Sequence, residues 1–239
     1  MMYLSHNELV SLCSKAYESL HRQCGESDVI ANMVADLEMS GLKGVSHFVS
    51  SLDFLAAEPD VPVGAFLTNE ATISADLKGA SLLNHFPALV DVSMDQMIGR
   101  SAIHIEILNS HNRWFAYGEL LKLAGKGLSV RAQWSNSQAP FHVDCVWNAG
   151  RRFPDIYFSE LPQLPKKSLH VDVQQAAFTA EDFAPFTTCI TAKSLSEADR
   201  RAWRDGIEID EAHWQTLKHY ASRNLVESSE QSKMGAGGQ

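Results

Sequence analysis

Three groups of residues carry side chains whose types and spacing could do chemistry. The first is Gly44-Val45-Ser46-His47. Its imidazole can exchange protons near neutral pH, and the neighbouring hydroxyl of Ser46 can orient that ring or cap a helix. The second is a pair of triplets, His142-Val143-Asp144 and His170-Val171-Asp172. On strands each histidine shares a face with its aspartate, so adjacent strands would gather two imidazoles and two carboxylates able to hold a divalent metal. The polar face of a half-buried sheet explains the same residues, and no metal is assigned. The third is the ending, Ser229-Glu230-Gln231-Ser232-Lys233-Met234-Gly235-Ala236-Gly237. Here Ser229, Glu230, Ser232 and Lys233 offer polar groups to an anion or a partner, and Gly235 and Gly237 let backbone amides come close. It is not a P-loop, because the glycine and lysine order is reversed and no strand leads into it.

The elements that must position these groups follow from periodicity. Ser5 and Glu8 form a capping box, after which Leu9, Leu12, Cys13, Ala16, Tyr17 and Leu20 recur at helical spacing. Ser27 or Asp28 is expected to cap a second helix that ends at Gly41, and Ser46 a third that Pro59 and Pro62 bring to a close. Beyond Pro62 the period changes. Residues 65–102 are not clearly one thing or the other. Then Ile103, Ile105 and Ile107, the runs around Val130 and Val143, and Leu169, Val171 and Val173 alternate as strands do. The segment from Leu161 to Lys167 suits an exposed connection, and Thr187 to Thr191 leans towards strand. Helix returns with a second capping box, Ser194 and Glu197, and with Asp210 as the cap of a helix carrying Trp214, Leu217 and Ala221. The expected fold class is α+β: an N-terminal helical hairpin, a central mixed or antiparallel sheet and C-terminal helices. A single domain over residues 1–239 is expected, with helices over 1–58, sheet over 63–192, C-terminal helices over 193–226 and a flexible tail over 227–239.

Composition excludes several classes of function. The 239 residues are 45% hydrophobic, enough to build a core without disulfides or metal. With 29 acidic against 20 basic residues the formal charge is -9, and the basic residues are scattered, so no nucleic-acid partner is expected. No apolar run is long enough for a bilayer and no basic-then-apolar leader opens the chain, which points to the cytoplasm and to no membrane partner. Cys13, Cys24, Cys145 and Cys189 form no C-x-x-C pair and are expected as reduced thiols.

Two resemblances add to this reading. The stretch from Leu9 to Leu55, with Cys24-Gly25, Val34-Ala35-Asp36-Leu37 and Gly41-Leu42-Lys43-Gly44-Val45-Ser46-His47, resembles the amino-terminal helices of the malate/L-lactate dehydrogenase family that is distinct from Rossmann dehydrogenases. That resemblance implies a nicotinamide dinucleotide cofactor and places His47 as the catalytic acid/base. The chain departs from the family's Gly-Val-Asp-Ser-His-Gly motif: no aspartate precedes Ser46, and Phe48 stands in place of the glycine. The chain is also about a third shorter than the family's usual length. The opening Ser5-His6-Asn7-Glu8-Leu9 and the ending from Ile209 through Trp214, Ala221-Ser222-Arg223 and residues 229–237 resemble an uncharacterised proteobacterial family. Its setting implies catabolism of N-methylated amines such as dimethylglycine or glycine betaine, beside electron-transfer flavoprotein subunits. The residues themselves assign no cofactor. The favoured reading is an accessory or small-molecule-binding protein with a protein partner in oxidative demethylation or a small-molecule ligand. The alternative is an NAD(P)-dependent oxidoreductase using His47. Apolar helices at both ends leave room for a homodimer contact, and the two ends are expected to frame one recess that His47 and the tail share.

Overall fold

The computed structural model describes residues 2–20, 26–59, 63–69, 71–179 and 185–224. A short strand β1 (Met2–Leu4) leads into three helices, α1 (His6–Glu18), α2 (Glu26–Met39) and α3 (Gly44–Ala57). The capping box at α1 forms as the sequence predicts: the Glu8 amide donates to the Ser5 hydroxyl at 3.3 Å and the Ser5 amide to Glu8 Oε2 at 2.8 Å. Helix α2 starts earlier than expected, so Ser27 and Asp28 lie inside its first turn. They bind back to α1 instead, Ser27 donating to Glu18 at 3.1 Å and Asp28 accepting from Ser14 at 3.1 Å. Gly41 has φ 76°, and the amides of Gly41 and Leu42 donate to Glu38 and Leu37 as the chain leaves α2.

The middle of the chain builds an eight-stranded mixed sheet around two helices that the sequence left unread. In order come β2 (Ala65–Asn69), β3 (Thr72–Asp76), α4 (Leu82–Met97) and β4 (Ala102–Leu108). A 3-10 turn (Arg113–Phe115), α5 (Ala116–Gly125), β5 (Ser129–Ser135), β6 (His142–Trp147), β7 (Asp155–Ser159), β8 (Leu169–Gln174) and β9 (Thr188–Ile190) follow. Strand order across the sheet is β2-β3-β4-β8-β5-β6-β7-β9. Among the described strands only β3 and β4 run parallel, joined through α4. The architecture is α+β, as expected. On one face Ile73, Ile105, Val130, Trp147 and Val171 are at most 1% exposed, packed in one apolar cluster with Leu82, Phe86, Leu120 and Leu123 of α4 and α5. Helix α2 packs in turn on α5 and α4, which makes the N-terminal helices a third layer. The alternate residues, His104, Glu106, Arg131, Gln133, His170 and Asp172, are half-buried on the opposite face.

The chain then closes on its beginning. Helix α6 (Ala192–Asp205) is capped by Thr191, whose hydroxyl accepts from the Ser194 amide at 3.3 Å, so the expected Ser194 cap lies one turn inside the helix. Strand β10 (Ile207–Ile209) pairs antiparallel with β1. Asp210 caps α7 (Glu211–Ser222) as predicted, accepting from Ala212 at 2.7 Å. Tyr220 hydrogen-bonds Asp53 of α3, and Asn224 donates to the Lys15 carbonyl of α1 at 2.7 Å. Among the described residues no helix is long and apolar enough to cross a membrane.

Candidate functional site

The start of α3 is where close packing and chemistry meet. A Cβ on Gly44 would stand 2.2 Å from the Val34 carbonyl oxygen and 2.8 Å from the Glu38 nitrogen, so only glycine lets α3 approach α2 this closely. Lys43 precedes it at φ 57° and offers no side-chain cap. The cap comes from the neighbouring helix: Glu38 Oε2 accepts from the Val45 amide at 2.7 Å, placing a carboxylate at the positive end of α3. This corrects the expectation for Ser46, which lies within the first turn and whose carbonyl accepts from Ser50 at 2.8 Å. His47 follows, half-buried, its ring 6.1 Å from Trp114 and nearly parallel to it, with the edge of Phe115 at 6.4 Å. Burial first, and the Lys43 charge second, hold the His47 imidazole below its ordinary pKa, which favours the neutral base at pH 7. Two helical turns on, Phe54 lies 5.1 Å from the ring of His111.

Facing this side of α3 is the segment that leaves β4. Asn109 and Asn112 take φ of 50° and 58°, a conformation asparagine tolerates, and the chain turns sharply between them. The His111 amide donates to the Ala80 carbonyl at 3.1 Å, the His111 carbonyl accepts from the Leu82 amide at 2.9 Å, and Asn112 donates to the Ser81 hydroxyl at 3.0 Å. The segment is thus sewn to the start of α4. Arg113 reaches the carbonyls of Ser110 and Ser135 at 2.6 and 3.1 Å, while its buried Nε has no hydrogen-bond partner. Burial, then Lys167 and Arg113, push the His111 imidazole down. His47 and Phe54 are seven residues apart on one helix and so share a face. His47 and Phe54 therefore meet the segment 111–115 through ring contacts, His47 against Trp114 and Phe115 and Phe54 against His111, beyond the carboxyl ends of the parallel strands β3 and β4, where open sheets place their ligands. His111 and Arg113 were not singled out from sequence. The signal was the polar run Ser110-His111-Asn112-Arg113 directly after an alternating strand.

The two His-Val-Asp triplets do not meet. They lie on β6 and β8, and β5 runs between them, with Arg131 paired to Asp172 and Gln133 to both His170 and Asp144. Arg131 grips Asp144 through two nitrogens, the shorter contact being 2.6 Å. Asp172 binds His104 of β4 at 2.7 Å, and the His104 and His170 rings lie 5.5 Å apart. The Asp172 hydrogen bond raises the His104 pKa. His142 is 2% exposed, and neither ring nitrogen has a hydrogen-bond partner. Among the described residues no group of three or more His, Cys, Asp or Glu is arranged to hold a metal ion. Ser229, Glu230, Ser232, Lys233, Gly235 and Gly237 lie outside the described residues, as does Cys24.

Comparison with known proteins accords with both resemblances at a coarse level. Residues 4–93 match a family described as "Protein of unknown function (DUF3726)". No curated protein matches. Among solved structures, a dehydrogenase from Sinorhizobium meliloti superposes with TM-score 0.69 at 12% identity, covering 92% of this chain and 99% of that one. Delta1-piperideine-2-carboxylate reductase from Pseudomonas syringae pvar. tomato gives 0.67 at 11%, covering 92% and 100%. Malate dehydrogenase from Pyrococcus horikoshii OT3 gives 0.66 at 10%, covering 95% and 96%. At such identities the likeness is one of fold, and what these proteins act on is theirs.

Proposed function

We propose that this chain is a small-molecule-binding protein whose ligand is an organic acid held between α3 and residues 109–115. One observation carries the reading: in a chain of net charge -9, Lys43 lies near His47, and Lys167 and Arg113 lie near His111 against one carboxylate, Glu58, so cations outnumber carboxylates along this contact. Hydrogen-bond donors on the two rings suit a carboxylate. The fold relatives named for malate and piperideine-2-carboxylate handle carboxylates, and dimethylglycine, implied by the resemblance of the chain ends, is itself one. The chain works as one domain in the cytoplasm, with a homodimer or a demethylation-pathway protein as partner, and Ser229, Glu230, Ser232, Lys233, Gly235 and Gly237 contribute to ligand or partner contact. Calorimetric titration with lactate and with dimethylglycine at low salt tests it. Lys43 and Lys167 both have positive φ, so Asn is the replacement that keeps their backbone. Lys43→Asn and Lys167→Asn should each weaken binding roughly threefold to tenfold at low salt and less at high salt. No heat or melting shift with either acid would overturn the proposal.

The second reading is an NAD(P)-dependent oxidoreductase with His47 as acid/base, favoured by the dehydrogenase-like fold and by the neutral imidazole that burial maintains. The described residues do not fit a dinucleotide's pyrophosphate at the start of α4. The amides of Ala80, Ser81, Leu82 and Leu83 donate to Leu77, Glu58, His111 and the Ser81 hydroxyl at 2.8, 3.1, 2.9 and 3.3 Å, and the Glu58 carboxylate occupies the positive end of the helix. No step is therefore routed through the nucleotide. Hydride transfer from NADH or NADPH that His47→Ala abolishes would favour this reading; no melting shift with either nucleotide would remove it.

A further inference from the structure

At the last turn of α3 lies a cavity of about 300 Å³. Its walls are largely apolar: Phe54, Ala57 and Pro59 from the end of α3, Val63 after it, and Leu77 and Ala80 from the turn that joins β3 to α4. His111 adjoins it, because Phe54 contacts the His111 ring at 5.1 Å and the Ala80 carbonyl accepts from the His111 amide at 3.1 Å. A space of this size, at the lower end of ordinary ligand pockets, admits a phenyl ring or a branched aliphatic group.

The charged groups around the cavity decide which end of a ligand can enter it. Glu58 is buried in the wall, accepting from the Ser81 amide at 3.1 Å and from Asn84 at 3.2 Å. Asp76 is held anionic by Asn109 and by the Lys78 amide. Lys78 is the one cation among the described lining residues, and it is exposed at the rim. Two carboxylates against one solvated ammonium disfavour a second acid group in the cavity, whereas at His111 two cations, Lys167 and Arg113, outnumber the one carboxylate, Glu58.

Resting on the proposed binding of an organic acid, we infer that the ligand is a monocarboxylate with an apolar side chain, its carboxylate beside His111 and its side chain in the cavity beneath Phe54. Short polar acids such as lactate would use only the charged half of the site. Dicarboxylates such as malate would bring a second charge towards Glu58 and Asp76. The cavity thus sets the specificity of a site whose anion attraction alone would be permissive.

Titration calorimetry of phenyllactate, lactate and malate against the full chain, unaltered and as Ala57→Trp, tests this. Ala57 is exposed at the rim, so a larger side chain there fills the cavity without entering the core. Phenyllactate should bind roughly tenfold to a hundredfold tighter than lactate, the gain from burying its ring, and malate no tighter than lactate. Ala57→Trp should erase the phenyllactate advantage and leave lactate unchanged, with Ala57→Met giving a partial loss should the larger variant melt early. Equal binding of lactate and phenyllactate, or a phenyllactate advantage that survives both substitutions, would overturn the assignment of the cavity and leave the acid-binding reading standing. Failure of all three acids to bind would overturn the acid-binding reading and this inference with it.

Discussion

Replacing Gly44 by alanine should damage this protein far more than the addition of one methyl group suggests. The new Cβ would lie 2.2 Å from the Val34 carbonyl oxygen, 2.8 Å from the Glu38 nitrogen and 3.0 Å from the Leu37 Cβ. The first two obstacles are backbone of α2 and cannot rotate aside, so α3 must retreat by about 1 Å to restore ordinary contact. A gap of that size forfeits a quarter to a half of the dispersion energy of the atoms facing it. The atoms concerned belong to Val45, Phe48, Leu52 and Leu55, none more than 2% exposed. The retreat also stretches the Val45 to Glu38 hydrogen bond, now 2.7 Å. Together these cost about 3 kcal/mol, a fall in Tm of about 6–12 °C for a chain of this length. Gly125 is the control, since a Cβ there meets nothing within 4 Å. Gly125→Ala should be neutral or stabilising by up to about 1 kcal/mol. Urea and thermal unfolding of both variants make the comparison. If Gly44→Ala unfolds like Gly125→Ala, close approach of α3 to α2 does not position His47.

Two further outcomes concern the polar face of the sheet. Arg131 and Asp144 have side chains 13% and 6% exposed, so Asp144→Asn removes the charge from a buried, bidentate ion pair and should cost about 3 kcal/mol, whereas Arg131→Met with Asp144→Leu should recover most of that in urea unfolding. The raised His104 pKa means that the folded chain holds this proton more tightly than the unfolded one. Its stabilisation is fully present below the ordinary histidine value of about 6.5 and is lost as pH rises through the raised value. With side chains 32% and 39% exposed, solvent holds the His104 and Asp172 contribution to about 0.5 kcal/mol. Melting curves of Asp172→Asn and the unaltered chain should therefore differ most below that pH and converge above it; parallel curves would contradict the assignment.

What could be read from the sequence was local. The Ser5 and Glu8 box, the positive φ at Gly41, the Asp210 cap and the alternation of β4, β5, β6 and β8 all depend on residues within a few positions of one another. The sequence points to nearby side chains as the caps of α2, α3 and α6: Ser27 or Asp28, Ser46 and Ser194. At α3 the carboxylate that does the capping comes from α2, seven residues away, and at α6 the hydroxyl that caps is Thr191, one turn earlier. Helix α4 has apolar residues at helical spacing, but Pro87 sits inside it where a proline normally signals an end. Helix α5 is short and rich in alanine and glycine, and Gly118 serves its contact with Met33 of α2 rather than any local rule. The separation of the two His-Val-Asp triplets is decided by β5 entering between β6 and β8, a non-local pairing that alternation cannot encode. His111 and Arg113 escaped notice for the same reason, since their meaning depends on α3 lying opposite.

The most direct measurement is a low-salt calorimetric titration of the full chain with phenyllactate, repeated with Lys167→Asn. The account predicts saturable binding to one site per chain that weakens roughly threefold to tenfold in the variant and with added salt. Absence of binding, or binding that neither the substitution nor salt alters, would contradict it.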